Sequence, residues 1–201
     1  MMDHKPFDWY DGVTRIKRPF ILKTMYYVVQ VQTGKEEQTI ADIRKYKSDK
    51  TEFEVFAPSR LVKRKYGNEY KEVSERCFPG YVFVETDNPK DLFFDLYWVP
   101  EFTRLLGREG LTYNFVPLNE EESRMVDILY NAGNGRVTPI SDIEIEAGDT
   151  VRILDGPLRD VQAQIKAVDL HKRNVTVGVT FCNRIMDVKL GINIVTKVPK
   201  Y

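Results

Sequence analysis

The 201-residue sequence carries 30 basic and 30 acidic side chains, for a formal net charge of zero, with 42% hydrophobic and 12% aromatic residues. That length and apolar content allow one large domain or two small ones with compact cores. No stretch approaches the ~18 to 20 consecutive apolar residues of a membrane span, and Asp3, His4, Lys5, Asp8 and Asp11 interrupt the apolar run a secretory signal needs. Cys77 and Cys182 lie far apart, and with His4 and His171 they show no ligand-like spacing, so no metal site is assigned. Reduced thiols and a cytoplasmic location are expected. With no phosphate-cradling glycine loop and with His171 alone in a polar turn, no catalytic residue and no cofactor are assigned.

Residues 1–24 mix aromatic, proline and basic residues without a period and read as an N-terminal extension. Tyr26 to Gln32 is β-branched and aromatic, a strand. After Thr33-Gly34, residues 35 to 46 place Ile40 and Ile43 on one side, a short amphipathic helix. Residues 52 to 57 form a strand ended by Pro58. Residues 61 to 66 and 69 to 74 flank Gly67-Asn68, a hairpin turn. Its charged arms, with Lys63, Arg64 and Lys65, should project into solvent. Tyr81 to Glu85 is the most apolar strand and is expected to be central. Asn88 caps a helix that opens at Pro89, residues 102 to 106 add a strand, and Asn119 caps a second helix rich in early glutamates.

This order implies an α+β sandwich over residues 25–130. Residues 131–144 open with Asn-Ala-Gly-Asn-Gly and are read as a linker. Short strands at 150–154, 162–169, 174–181, 185–190 and 192–198 then predict a small closed β-barrel over 145–201. Charge follows the same division. Residues 145–201 hold nine basic against six acidic side chains, whereas residues 25–121 hold 14 against 17. The barrel is the better candidate for a polyanion contact.

Tyr26-Tyr27-Val28-Val29-Gln30, Gly34-Lys35-Glu36 and above all Cys77-Phe78-Pro79-Gly80-Tyr81-Val82-Phe83-Val84 resemble the N-terminal (NGN) domain of the NusG family. Val99-Pro100, Gly107 and Val116-Pro117-Leu118 follow in the expected order. Gly148 to Ile153 and Asp155 to Asp160 resemble the opening of a KOW module, an SH3-like barrel. The resemblance spans nearly all of residues 25–198. It implies a monomeric transcription elongation factor whose N-terminal domain binds the clamp helices of the largest RNA polymerase subunit and reaches a loop of the second-largest one.

Under that resemblance Phe78, Pro79, Tyr81, Tyr26 and Phe93 are the polymerase-binding candidates. Phe78 and Tyr81 flank a sharp Pro-Gly bend, where exposed rings would suit a helical partner. Lys63, Arg64 and Lys65 are candidates for upstream or non-template DNA, by phosphate contact; edge protection explains them equally. In the barrel, Cys182 stands where the family carries an exposed phenylalanine, which argues against a ribosomal or Rho partner. Arg159, Lys166, Lys172, Arg173, Arg184 and Lys189 are the RNA-binding candidates. The expected function is a specialised antiterminator similar to the LoaP type, recruited by a nascent RNA hairpin. A general elongation factor or a KOW-containing ribosome-associated protein is the alternative.

Overall fold

The computed structural model describes residues 25–49, 51–108, 115–131, 137–146, 150–182 and 184–197. The extension at 1–24 lies outside the described residues. The first sheet is antiparallel and contains β1 (Met25–Val31), β2 (Glu54–Phe56), β5 (Tyr81–Thr86) and β6 (Thr103–Leu105). Their order is β2–β5–β1–β6, so β1 and β5 are central.

Alternation along these strands divides the side chains between two faces. Tyr27, Val29, Val31, Val82 and Val84 pack with Ile40 and Ile43 of α1 (Glu36–Tyr46) and with Leu92 and Leu96 of α2 (Pro89–Leu96). Tyr26, Val28 and Phe83 point the other way, towards Met125, Val126 and Leu129 of α3 (Glu120–Asn131). Asn119 and Glu122 form a reciprocal cap at the start of α3. The Glu122 amide donates to Asn119 Oδ1 and the Asn119 amide donates to Glu122 Oε2, both at 2.9 Å.

The charged hairpin is β3 (Ser59–Tyr66) with β4 (Glu69–Arg76), paired in register from Ser59↔Arg76 to Tyr66↔Glu69. The 131–144 stretch contains more than a connection. β7 (Val137–Thr138) pairs parallel to β3, and β8 (Ser141–Ile145) belongs to the barrel. Thr138 is buried and donates to the Leu129 carbonyl at 2.5 Å, which fixes this segment against α3.

The barrel sheet runs β10–β11–β12–β8–β9, with β9 (Val151–Asp155), β10 (Ile165–Asp169), β11 (Asn174–Phe181) and β12 (Arg184–Lys197). Residues 162–164 form a 3₁₀ turn where the sequence predicts strand. The two strands expected at 185–190 and 192–198 are one strand. β12 pairs antiparallel with β11 as far as Gly191 and parallel with β8 from Ile192 onward.

The barrel sits on the second face of the first sheet, and a single apolar core runs through both. Phe78 and Phe83 pack against Phe181 within the same cluster as Val177, Val179 and Leu190. Polar contacts edge this apolar centre. Lys63 Nζ donates to Asn193 Oδ1 at 2.6 Å, Tyr70 Oη to the His171 carbonyl at 3.0 Å, and the Cys182 amide to Glu122 Oε1 at 2.8 Å. The hairpin thus lies along the barrel rather than projecting freely, because Lys63 and Tyr70 find partners there. At Gly191 the two backbones meet. A Cβ there would press into the Leu61 carbonyl oxygen and stand 3.1 Å from Val62 Cα.

Glu36 fastens the bend that precedes β5. The Gly80 amide donates to its Oε1 at 2.7 Å in a buried position. Burial works to raise the Glu36 carboxyl, but amide hydrogen bonds, led by Gly80, outweigh it and the net shift is downward. A lowered folded-state value stabilises the fold above the ordinary carboxylate range near ~4.3, and that contribution is lost as pH falls through the lowered value. Denaturant titrations of Glu36→Ala should show a loss of about 1 to 3 kcal/mol at neutral pH, from the orphaned Gly80 amide. The gap to wild type should narrow below pH ~4. Gly191→Ala should loosen the docked barrel without unfolding it. Hydrogen exchange at the Cys182 amide should then rise on the order of ten-fold, the expected size for overpacking a close contact.

Candidate functional site beneath the barrel

Phe78 to Tyr81 form a type II turn. The Tyr81 amide donates to the Phe78 carbonyl at 3.2 Å, and Gly80 occupies the left-handed region at φ 83°. A side chain at position 80 would meet Thr33 Oγ1 at 2.8 Å. Only glycine therefore allows both the turn and its seat against the end of β1. The turn drives Phe78 onto the second face of the sheet while Pro79 stays exposed and Tyr81 half-buried.

Phe78 is only 2% exposed, yet the ring beside it comes from the other domain. Its centroid lies 4.9 Å from that of Phe181 with the planes at 87°, and 5.4 Å from Phe83. Phe83 and Phe181 complete the triangle at 5.5 Å. The edge-to-face pair matches the quadrupoles of the two rings. Tyr26 lies on the same face. It is buried, packs edge-on to Phe56 at 5.9 Å, and donates from Oη to Asp127 Oδ1 at 2.8 Å. In the docked molecule, then, the expected exposed ring of Phe78 is buried, as is Tyr26, and only Pro79 and part of Tyr81 reach the surface.

Phe93 belongs elsewhere. It packs with the α1–α2 core, 5.3 Å from Phe115, with the Arg108 guanidinium 5.7 Å from its ring. It lines a cleft of about 420 Å³ with Leu96, Tyr97, Thr103 and Arg104. Phe94, Tyr97 and Trp98 are exposed beside it, Tyr97 at 81% and Trp98 at 67%. The five residues proposed from sequence for one partner thus divide between the two faces of the sheet.

The six basic barrel residues do not form one patch. Lys172 and Arg173 occupy the β10–β11 turn, and Arg184 lies at the far end of β11. Eight strand residues separate those ends by about 25 Å. Arg159 faces Asp155 at 3.9 Å, Lys166 pairs with Asp187 at 2.7 Å, and Lys172 lies 3.5 Å from Asp169. Arg184 and Lys189 are exposed. The docked barrel instead brings Lys172 and Arg173 to the hairpin that carries Lys63, Arg64 and Lys65.

Cys182 has φ 49° in the β11–β12 turn and is half-buried against α3. Burial and the Glu122 carboxylate push its thiol up, opposed by Arg184. Burial likewise raises Cys77. Neither environment favours the thiolate that nucleophilic chemistry requires. Phe181 and Glu122 were not singled out from sequence. Phe181 reads as an ordinary inward residue of a strand, and Glu122 as one of three acidic residues at a helix start.

Among the described residues, no three His, Cys, Asp or Glu side chains gather as a metal site, and no helix is long and apolar enough to cross a membrane.

The family model described as transcription termination factor nusG matches residues 24–127, and that of the KOW motif matches residues 147–180. The transcription termination/antitermination protein NusG of Lactococcus lactis is 30% identical over 156 residues, covering 76% of this chain and 82% of the relative. NusG of Thermus thermophilus is 26% identical over 183 residues, covering 86% and 97%. The solved structure of Thermotoga maritima NusG superposes with a TM-score of 0.47 at 25% identity, covering 84% of this chain and 94% of that one. The N-terminal match spans more than half of the chain, so the protein belongs to the NusG family of transcription termination/antitermination factors, which are regulators and not enzymes.

Proposed function

We propose that this chain is a specialised processive antiterminator of the NusG type. Its N-terminal domain binds the clamp helices of RNA polymerase, and its KOW barrel binds nascent RNA. The observation that carries the reading is the cover on Phe78. A ring held by a rigid Pro-Gly turn is shielded on one side by a separate domain, through a ring-on-ring contact that would part if the barrel undocked. Removing the barrel would expose Phe78 and more of Tyr81 as an apolar footing of the kind that takes a helical pair.

Phe93, with exposed Phe94, Tyr97 and Trp98 nearby, supports a second contact from the other face to the second large subunit. Lys63, Arg64 and Lys65 would meet upstream or non-template DNA by phosphate contact once the hairpin is free of the barrel. In the barrel, the exposed arginines and lysines support RNA rather than protein recognition. The one ring next to the β11–β12 turn, Phe181, faces inward, which leaves the half-buried Cys182 where a ribosomal partner or Rho would seek an aromatic.

Capture of purified polymerase on immobilised chain tests the masked interface, because two variants should move in opposite directions. Phe78→Ala should weaken capture by ten-fold or more, the usual result of truncating a central aromatic. Gly191→Ala, which only disturbs docking, should strengthen it. Equal capture by wild type and Phe78→Ala would remove the turn from the polymerase interface.

A further inference from the structure

We propose that the seam between the β3–β4 hairpin and the β10–β11 turn is a binding site for a single-stranded polynucleotide, and that it exists only while the barrel is docked. Neither domain holds it alone. The hairpin supplies Lys63, Arg64, Lys65 and Tyr70, and the barrel supplies His171 and Lys172, around one narrow cleft of about 110 Å³. Arg173 lines the adjoining cleft with Tyr70 and His171. The two sides are tied together by Tyr70. Its hydroxyl reaches the His171 carbonyl at 3.0 Å, and the Arg173 guanidinium lies 5.3 Å from its ring centroid. Arg173 takes φ 55°, the left-handed turn conformation that carries its side chain back over the hairpin.

The chemistry of the cleft selects its ligand. Arg64 is neutralised by Glu75 at 2.5 Å and Lys172 is partly offset by Asp169 at 3.5 Å. Lys63, by contrast, donates to the neutral amide of Asn193, and Arg173 meets the Tyr70 ring. Lys65 is exposed beside them. Tyr70, at 38% exposure, stands among these cations directly across from Lys65, whereas Tyr66 falls on the other face of the hairpin. Cations that follow a backbone, with rings on which bases stack, are the components of single-strand recognition. A cleft of about 110 Å³ is far too small for a duplex and would seat a phosphate of a strand that runs across it. Glu69 and Glu72 on the same hairpin limit a purely electrostatic mode, which leaves stacking to contribute as much as charge.

A linkage follows. If polymerase binds the Phe78 face only after undocking, as proposed above, then strand binding at the seam and polymerase binding must each weaken the other by the same factor. That corollary rests on the polymerase reading, whereas the seam itself does not.

Fluorescence anisotropy of the full chain with a labelled oligouridine of about a dozen nucleotides tests the seam without polymerase. Oligothymidine and oligoglutamate of similar length serve as comparison arms. Lys65→Ala on the hairpin and Lys172→Ala/Arg173→Ala on the barrel should each lower affinity, the barrel pair about ten-fold. Gly191→Ala keeps every one of these side chains and should lower it as well. Glu122→Lys, which repels the barrel at a second point, should repeat that result. Full binding by both undocked variants overturns the composite site. A loss confined to the barrel pair also overturns it, while leaving RNA binding by the barrel intact. Equal binding of oligoglutamate would make the seam a protein-binding surface instead. No salt-sensitive binding of either oligonucleotide to wild type would overturn both the seam and the RNA half of the proposed function. Comparable binding of RNA and DNA supports the seam and identifies the strand's phosphates and bases, rather than its sugar, as what is recognised.

Discussion

Three phenylalanine rings hold this molecule in the form described here. Phe78 and Phe83 come from the N-terminal sheet and Phe181 from the barrel, and every centroid separation is between 4.9 and 5.5 Å. Each domain is small, and a small domain buries a limited share of its surface by itself. Sharing these rings turns two modest cores into a single apolar cluster that runs from Tyr26 to Ile192. The polar contacts at Lys63, Tyr70 and Glu122 set the orientation of the barrel on that centre, and Gly191 sets how closely the backbones approach.

The docked interface has the character of one that can open. Its centre is aromatic and buried, but its rim rests on a few long side chains and one buried carboxylate. Glu122 is instructive because both its oxygens are engaged, one in capping α3 and the other in receiving the Cys182 amide. The helix therefore keeps the Asn119–Glu122 cap if the barrel leaves. Glu36 plays the corresponding part on the opposite side of the turn. It holds Gly80 from within the N-terminal domain, so the bend that presents Phe78 is independent of the cover above it.

The same geometry reorganises the charge of the molecule. Considered along the chain, the basic residues of the hairpin and of the barrel are separated by about a hundred positions, and each group alone is weak. Docking joins Lys63, Arg64 and Lys65 to Lys172 and Arg173 around Tyr70. It leaves Arg159, Lys166, Lys189 and Arg184 dispersed, the first two beside carboxylates. A surface that exists in one arrangement of two domains and not in the other gives a ligand the means to bias the equilibrium between them.

Local chemistry was sufficient for most of the fold. Period-2 alternation at β1 and β5, the Asn88 and Asn119 caps, the Gly67-Asn68 turn and the Phe-Pro-Gly-Tyr segment each carry their structure in adjacent residues, and both domains were legible from them. The strand at Ser141–Ile145 alternates too, but Asn-Ala-Gly-Asn-Gly just before it made the whole stretch resemble a linker. Gly191 resembled a break between strands because nothing nearby shows that it faces Leu61, some 130 residues away. Which rings are core and which are interface could not be read from spacing at all. Phe78 and Phe181 are both inward residues next to turns, and only their meeting across two domains makes one the cover of the other. Burial by a second domain leaves no periodic trace in either segment, so that decision belonged to the tertiary structure.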